Sequence, residues 1–290
     1  MNQYLRAIGF SSIKSMEMLE KLYRDIRRNP DHRTISGRSL SLSGVQLDKS
    51  YGAGGIGLSI IGEMNSEGTF LQEYSFPYVT PGNYVFSEEV IIDERSYMNA
   101  YSGVIDNINL SVIFFVQNVA YINGLIWNNR LPAVLRIALS GLSISGSVLL
   151  PLKKTKQERE YDISMRMQEK FAIQNIRRGD EEALDKMLNR DIQIKDSLDQ
   201  RIISEDILSI VDNSIIPYST ESDVFELIGT ILSVNEVENT YTSEHVYLMD
   251  VECIYYIIRV AINKKDLVGE PLPGRRFRGI TWLQGAVRAE

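Results

Sequence analysis

Apolar positions recur at helical spacing near the start of the chain, with Met16, Leu19, Leu22, Tyr23 and Ile26 on one face, which predicts an amphipathic helix over Ile13–Arg28. Ser11 and Ser12 are placed to cap it, Asn29-Pro30-Asp31 ends it, and Arg24, Arg27 and Arg28 suit the negative end of its dipole. From Ile35 to Ile92 the pattern changes to strands. Ser39-Leu40-Ser41-Leu42-Ser43 alternates, Ile56–Met64 follows a glycine turn, and Phe70–Val79 follows the turn Asn65-Ser66-Glu67-Gly68, so a meander is expected. Thr80-Pro81-Gly82-Asn83 interrupts it before Tyr84–Phe86 and Val90–Ile92 resume the apolar pattern. Leu110–Val116 is rich in β-branched and aromatic residues and predicts a central strand. Leu142, Ile144, Gly146, Val148 and Leu150 alternate into a further strand ending at Pro151.

At Lys153 the chain becomes charged and short of glycine. Ile163, Met167 and Phe171 keep helical spacing, Gly179-Asp180-Glu181-Glu182 reads as a stop and a capped restart, and Ser204-Glu205-Asp206 opens another helix. Ile215–Tyr218 is the exit. Strands follow at Phe225–Val237, Val246–Ile254 and Tyr255–Asn263, then a short turn or helix at Lys264–Val268 and a closing strand within Gly274–Gly285. That order suits a small closed barrel of the OB type, with a twisted antiparallel sheet on helices as the alternative. The expected fold class is α+β: an N-terminal mixed or antiparallel sheet domain with helices over 1–152, a helical connector over 153–216, and a small OB-like β-barrel over 217–290.

Strand parity gives the closing strand its interest. Arg276, Arg278, Ile280 and Trp282 share one face, and Phe277, Gly279, Thr281 and Leu283 the other. With Phe277 and Leu283 inward, two guanidinium groups and an indole face outward, joined by Lys264 and Lys265 from the preceding turn. Such a surface suits an acidic partner, a neighbouring domain or a nucleic-acid strand. The net charge of −7, at a pI near 5.1, disfavours nucleic acid as the general partner.

The remaining chemistry is sparse. With Cys253 the one cysteine, no intramolecular disulfide and no paired-thiolate zinc site can form. His32 and His245 lack partners at metal spacing and read as loop residues, so no metal or cofactor is expected. Gly52-Ala53-Gly54-Gly55-Ile56-Gly57 fits the dinucleotide-binding spacing, but a strand follows it where that motif needs a helix. Glu88, Glu89 and Asp93 form the densest acidic group of the first half and are the candidates for a carboxylate-based active site. Leu110–Ile122 and Ala138–Leu152 are too short for spanning helices, which need about 20 apolar residues, and Met1–Phe10 carries no signal-like apolar segment. A cytoplasmic location without membrane attachment is expected.

Three segments carry a resemblance: Tyr4-Leu5-Arg6-Ala7-Ile8-Gly9-Phe10-Ser11, Arg178-Gly179-Asp180-Glu181-Glu182-Ala183, and Asn263–Pro271 with Gly274–Gly285. In this order, over nearly the whole length, the chain resembles an uncharacterised domain-of-unknown-function family of clostridial (Firmicutes) bacteria. The resemblance implies a bacterial cytoplasmic protein and lends no residue a role. The expectation is therefore a non-catalytic binding or assembly protein using the Arg276, Arg278 and Trp282 face toward a protein partner or itself. Single-stranded nucleic-acid binding and a carboxylate enzyme are the alternatives.

Overall fold

The serines near the start show how the local pattern is realised. In the computed structural model, which describes residues 3–37, 42–95, 100–107, 110–152, 213–218 and 222–288 with scattered positions between 164 and 182, helix α1 spans Met16–Arg28. It starts later than the spacing predicts. Ser15 is the cap, its Oγ accepting from the Met18 N–H at 3.2 Å. Ser11 is engaged elsewhere, its hydroxyl donating to Glu244 Oε1 at 2.7 Å. Leu19, Leu22, Tyr23 and Ile26 are buried as expected, whereas Met16, in the first turn, is exposed. Ahead of α1, a 3-10 helix at Gln3–Ile8 buries Tyr4, Leu5, Ala7 and Ile8.

Strands β1 (His32–Gly37), β2 (Leu42–Ser50), β3 (Ile56–Asn65) and β4 (Phe70–Val79) pair in chain order, all antiparallel, as the expected meander. Part of the alternation read at Ser39–Ser43 lies outside the described residues. Gly54 and Gly55 turn at φ +81° and +76°, and β3 follows them, so the glycine run enters a strand and no helix opens there for a pyrophosphate.

The second sheet contains β5 (Phe86–Arg95), β6 (Ala100–Asn107), β7 (Leu110–Val116), β8 (Val134–Leu149), β9 (Ser214–Pro217), β10 (Val224–Glu238), β11 (His245–Cys253), β12 (Tyr256–Asn263), β13 (Leu267–Val268) and β14 (Arg276–Arg288). Between β7 and β8 lies helix α2, Val119–Trp127. The sequence reading predicts no helix directly after the Leu110–Val116 strand, and α2 adds one. Val119, Ala120, Ile122 and Asn123 are all buried, and a helix apolar on most sides has no 3.6-residue stripe to betray it.

The pairings β8–β14, β14–β10, β10–β11 and β11–β12 are antiparallel, and β12–β8 is parallel with Arg259 opposite Ser140. Five strands thus close a ring of hydrogen-bonded neighbours. One of them, β8, comes from the first half of the chain. The long β8–β14 pairing, from Arg276 opposite Leu149 to Arg288 opposite Arg136, joins segments expected in separate domains. Two compact units result: Met1–Asp106, Val112–Leu149 and Asn213–Glu290 form one, and Asn107–Ser111 with Leu150–Asp212 the other. Most of the expected connector, 153–216, lies outside the described residues. Among them, Ala172, Asn175 and Ile176 are helical, and the Asp180 N–H donates to the Asn175 carbonyl at 3.1 Å. The described residues are mostly strand with few helices.

Candidate functional site

The closing strand keeps its alternation, since β14 pairs with β10 without a shift from Val224 opposite Trp282 to Thr230 opposite Arg276. Its outward face is nonetheless covered. Trp282 is only 8% exposed and Arg276 5%. The Trp282 indole lies 5.1 Å from the Tyr4 ring and 5.2 Å from the Phe115 ring, and its Nε1–H donates to Asp223 Oδ2 at 2.8 Å. Asp223 is itself buried and also pairs with Arg95, whose guanidinium stands over Phe115. Arg278 donates through Nε to Glu226 Oε1 at 2.7 Å. Lys264 pairs with Glu236 at 2.9 Å, and Lys265 lies 3.8 Å from Glu244. The Arg276 and Trp282 part of the face expected to be open is closed by the protein's own residues, whereas Arg278 stays half-buried and Lys264 and Lys265 exposed, each within an ion pair. Parity reports which side chains share a face, and not where along the strand another element covers it.

The other candidates are also placed. Glu89 and Asp93 are exposed on β5 and Glu88 is half-buried there. His32 and His245 lie on β1 and β11, not in loops, and His245 Nδ1 approaches Glu236 Oε1 at 2.9 Å. Among the described residues no three or more His, Cys, Asp or Glu gather as metal ligands. Cys253 is buried, and burial pushes its thiol pKa up, away from reactivity.

Sequence reasoning missed a cleft in the first unit. Its volume is about 610 Å³, within the few hundred to a thousand of small-molecule sites. The meander contributes Gln46, Asp48 and Tyr78, and the segment after β7 contributes Gln117. Phe76, Val85 and Ala286 add apolar wall, and the exposed His32 and Arg288 stand at its rim.

A hydrogen-bond network fixes the polar lining. Gln46 Nε2, with two hydrogens to share, lies 3.0 Å from Asp48 Oδ1, 3.2 Å from Ser59 Oγ and 2.9 Å from the Gln117 carbonyl, while its Oε1 accepts from the Ala120 N–H at 3.2 Å. Gln117 Nε2 faces Gln284 Oε1 at 2.7 Å, Ser140 Oγ at 3.0 Å and the Val79 carbonyl at 3.0 Å. These acceptors fix which end of the Gln117 amide carries nitrogen. Asn118 grips β14, accepting from the Val287 N–H at 3.0 Å and donating to its carbonyl at 2.5 Å. Among the described residues, Asp48 Oδ2 and Gln117 Oε1 are left without a donor, and the Tyr78 hydroxyl without a partner.

Burial raises the Asp48 pKa, opposed by the Ser59 and Gln46 hydrogen bonds and by the charge of His32, its cross-strand neighbour. Burial likewise pushes the Tyr78 phenol up, assisted by the negative charge of Asp48. The cleft therefore combines acceptors on Asp48 and Gln117 with the exposed side chains of His32 and Arg288.

Fold and cleft together define a mostly-β protein of the α+β class with a pre-formed polar cavity of small-molecule size. The chain belongs to the family described as "Domain of unknown function, E. rectale Gene description (DUF3881)", which matches residues 5–285. No curated protein and no solved structure matches it.

Proposed function

We propose that this is a non-catalytic binding protein that takes a small polar ligand into the cleft bounded by Gln46, Asp48, Tyr78 and Gln117. The observation that carries the reading is that Asp48 Oδ2 and Gln117 Oε1 lack donors although every other polar atom of these two side chains is held. Acceptors in a cleft lining that lack a protein donor favour a ligand that supplies one. The binding role expected from the sequence is kept, and its location moves from the β14 face to the cleft. We read the five-strand ring as an OB-like barrel, because it has one parallel pair and a 3-10 turn, Lys264–Asp266, before its last strand. Nucleic acid is disfavoured as its ligand, since Arg278 and Arg259 are neutralised by Glu226 and Asp250. The single buried Cys253 fits a reducing, cytoplasmic setting.

The test is thermal-shift and ligand-observed NMR screening against amines, carboxylates, amino acids, sugars and nucleosides. It is run on the wild type and on Ala286→Trp, which fills the cleft. Binding of one class that the filled variant abolishes is the expected result. If no class binds the wild type, or Ala286→Trp binds as well, the reading fails.

A further inference from the structure

The cleft lining carries both an acid, Asp48, and a base, Arg288. At the far end of the β8–β14 pairing, Arg288 lies directly opposite Arg136, and Ala286 opposite Ala138. Ala138, Ala286 and Arg288 line the cleft, and strand alternation sets Arg136 on the same face as Ala138. Opposed side chains in an antiparallel pair stand about 5 Å apart, and like charges there repel. Neither arginine has an ion-pair partner among the described residues, although most of the other basic groups of the first unit's second sheet do. Inside, the open lone pairs on Asp48 and Gln117 call for donors, and an ammonium supplies both with charge-assisted hydrogen bonds.

We infer that the ligand is a small zwitterion, of the amino-acid kind: an ammonium seated on Asp48 Oδ2 and Gln117 Oε1, and an anionic group held by Arg288 and Arg136. This rests on the binding reading of the cleft. Phe76 and Val85 leave an apolar wall for a side chain, so apolar amino acids fit better than acidic ones.

The experiment uses the whole chain and isothermal titration. The probes are the standard L-amino acids, phosphoethanolamine, ethanolamine, acetate, inorganic phosphate, glucose and adenosine. Expected is binding of at least one zwitterion, at least about tenfold weaker for its N-acetyl and its amide derivatives, each of which lacks one charge. Asp48→Asn lowers affinity for the zwitterion and leaves its N-acetyl form unchanged; Arg136→Gln with Arg288→Gln does the reverse, sparing the amide form. Should a variant fail to fold, by far-UV circular dichroism, the derivative series on the wild type decides alone. A preference for phosphoethanolamine over all amino acids identifies the anionic group as phosphate and keeps the inference. Binding of glucose or adenosine with no zwitterion bound, or equal affinity for charged and capped forms, overturns it and leaves the cleft reading standing. No binding by any probe overturns both.

Discussion

Truncating Trp282 separates a core residue from a surface contact. The indole is 8% exposed and packs on Tyr4 and Phe115. Removing a buried Trp side chain costs about 3–5 kcal/mol. Trp282→Ala also strips the buried Asp223 of a donor at 2.8 Å. A hydrogen bond to a charged group contributes roughly 1.5–3 kcal/mol, partly counted already in the truncation, so a total near 4 kcal/mol is expected. Arg278→Ala is the control, because its guanidinium is 40% exposed and its pair with Glu226 is of the kind worth about 0–1 kcal/mol. Urea unfolding followed by far-UV circular dichroism reads the difference. With a denaturant slope of about 2–3 kcal/mol per molar, Trp282→Ala moves the midpoint down by more than about 1 M, and Arg278→Ala by only a few tenths. Trp282→Phe keeps a ring between Tyr4 and Phe115 and loses only Nε1–H, so it falls between the two. Equal midpoints for Trp282→Ala and Arg278→Ala would refute the assignment of the indole to the core and restore it as a surface group.

Ser15→Ala removes the α1 cap and lowers stability by about 1 kcal/mol, whereas Ser12→Ala changes little; parallel urea titrations compare them. Cys253 stays unreactive toward a thiol reagent such as Ellman's in native buffer and reacts once in urea, because it is buried with its pKa raised; rapid labelling of the native protein would contradict this. Asp48 has a folded-state pKa above its ordinary value, so the native state binds more protons than the unfolded chain between the two. This group's contribution to stability is complete below the unfolded value and lost as pH rises through the folded one. Asp48→Asn therefore gains on the wild type as pH increases across that window, in thermal melts at matched ionic strength. A relative loss in the same direction would mean that Asp48 is not held against burial.

What the sequence disclosed was what local pattern can carry. The apolar runs Phe70–Val79 and Val246–Ile254, bounded by turn residues, mark strands, and β4 and β11 follow. The parallel pairing of β12 with β8 leaves no local trace, since it joins residues more than a hundred positions apart. Nothing near either strand announces that the C-terminal strands build on one from the first half. The cleft was hidden by a related ambiguity. Val45-Gln46-Leu47-Asp48 alternates as a half-solvated strand does, yet Gln46 is buried and Asp48 half-buried. The one visible signal was Gln117-Asn118 interrupting an apolar run. Two amides there need partners, and the structure supplies them from two sheets.

That supply explains why a cleft with unused acceptors exists at all. Gln46 on β2, Gln117 after β7 and Gln284 on β14 are all nearly inaccessible to water, and a buried amide without partners costs about 1–3 kcal/mol for each group left unmade. Each is held from another element: Gln46 reaches the Gln117 carbonyl, Gln117 reaches Val79 on β4, and Gln284 donates to the Pro77 carbonyl on β4 at 2.9 Å. Side-chain amides thus join the meander to the ring strand β14 where no backbone ladder connects the two sheets. An amide has more hydrogen-bonding positions than one such junction uses, and Gln117 makes its junction bonds through its nitrogen alone. Its oxygen and the second oxygen of Asp48 are what the junction leaves over. A purely apolar contact between the sheets would have left no such atoms, so the joint that links the two sheets also makes the cleft beside it polar.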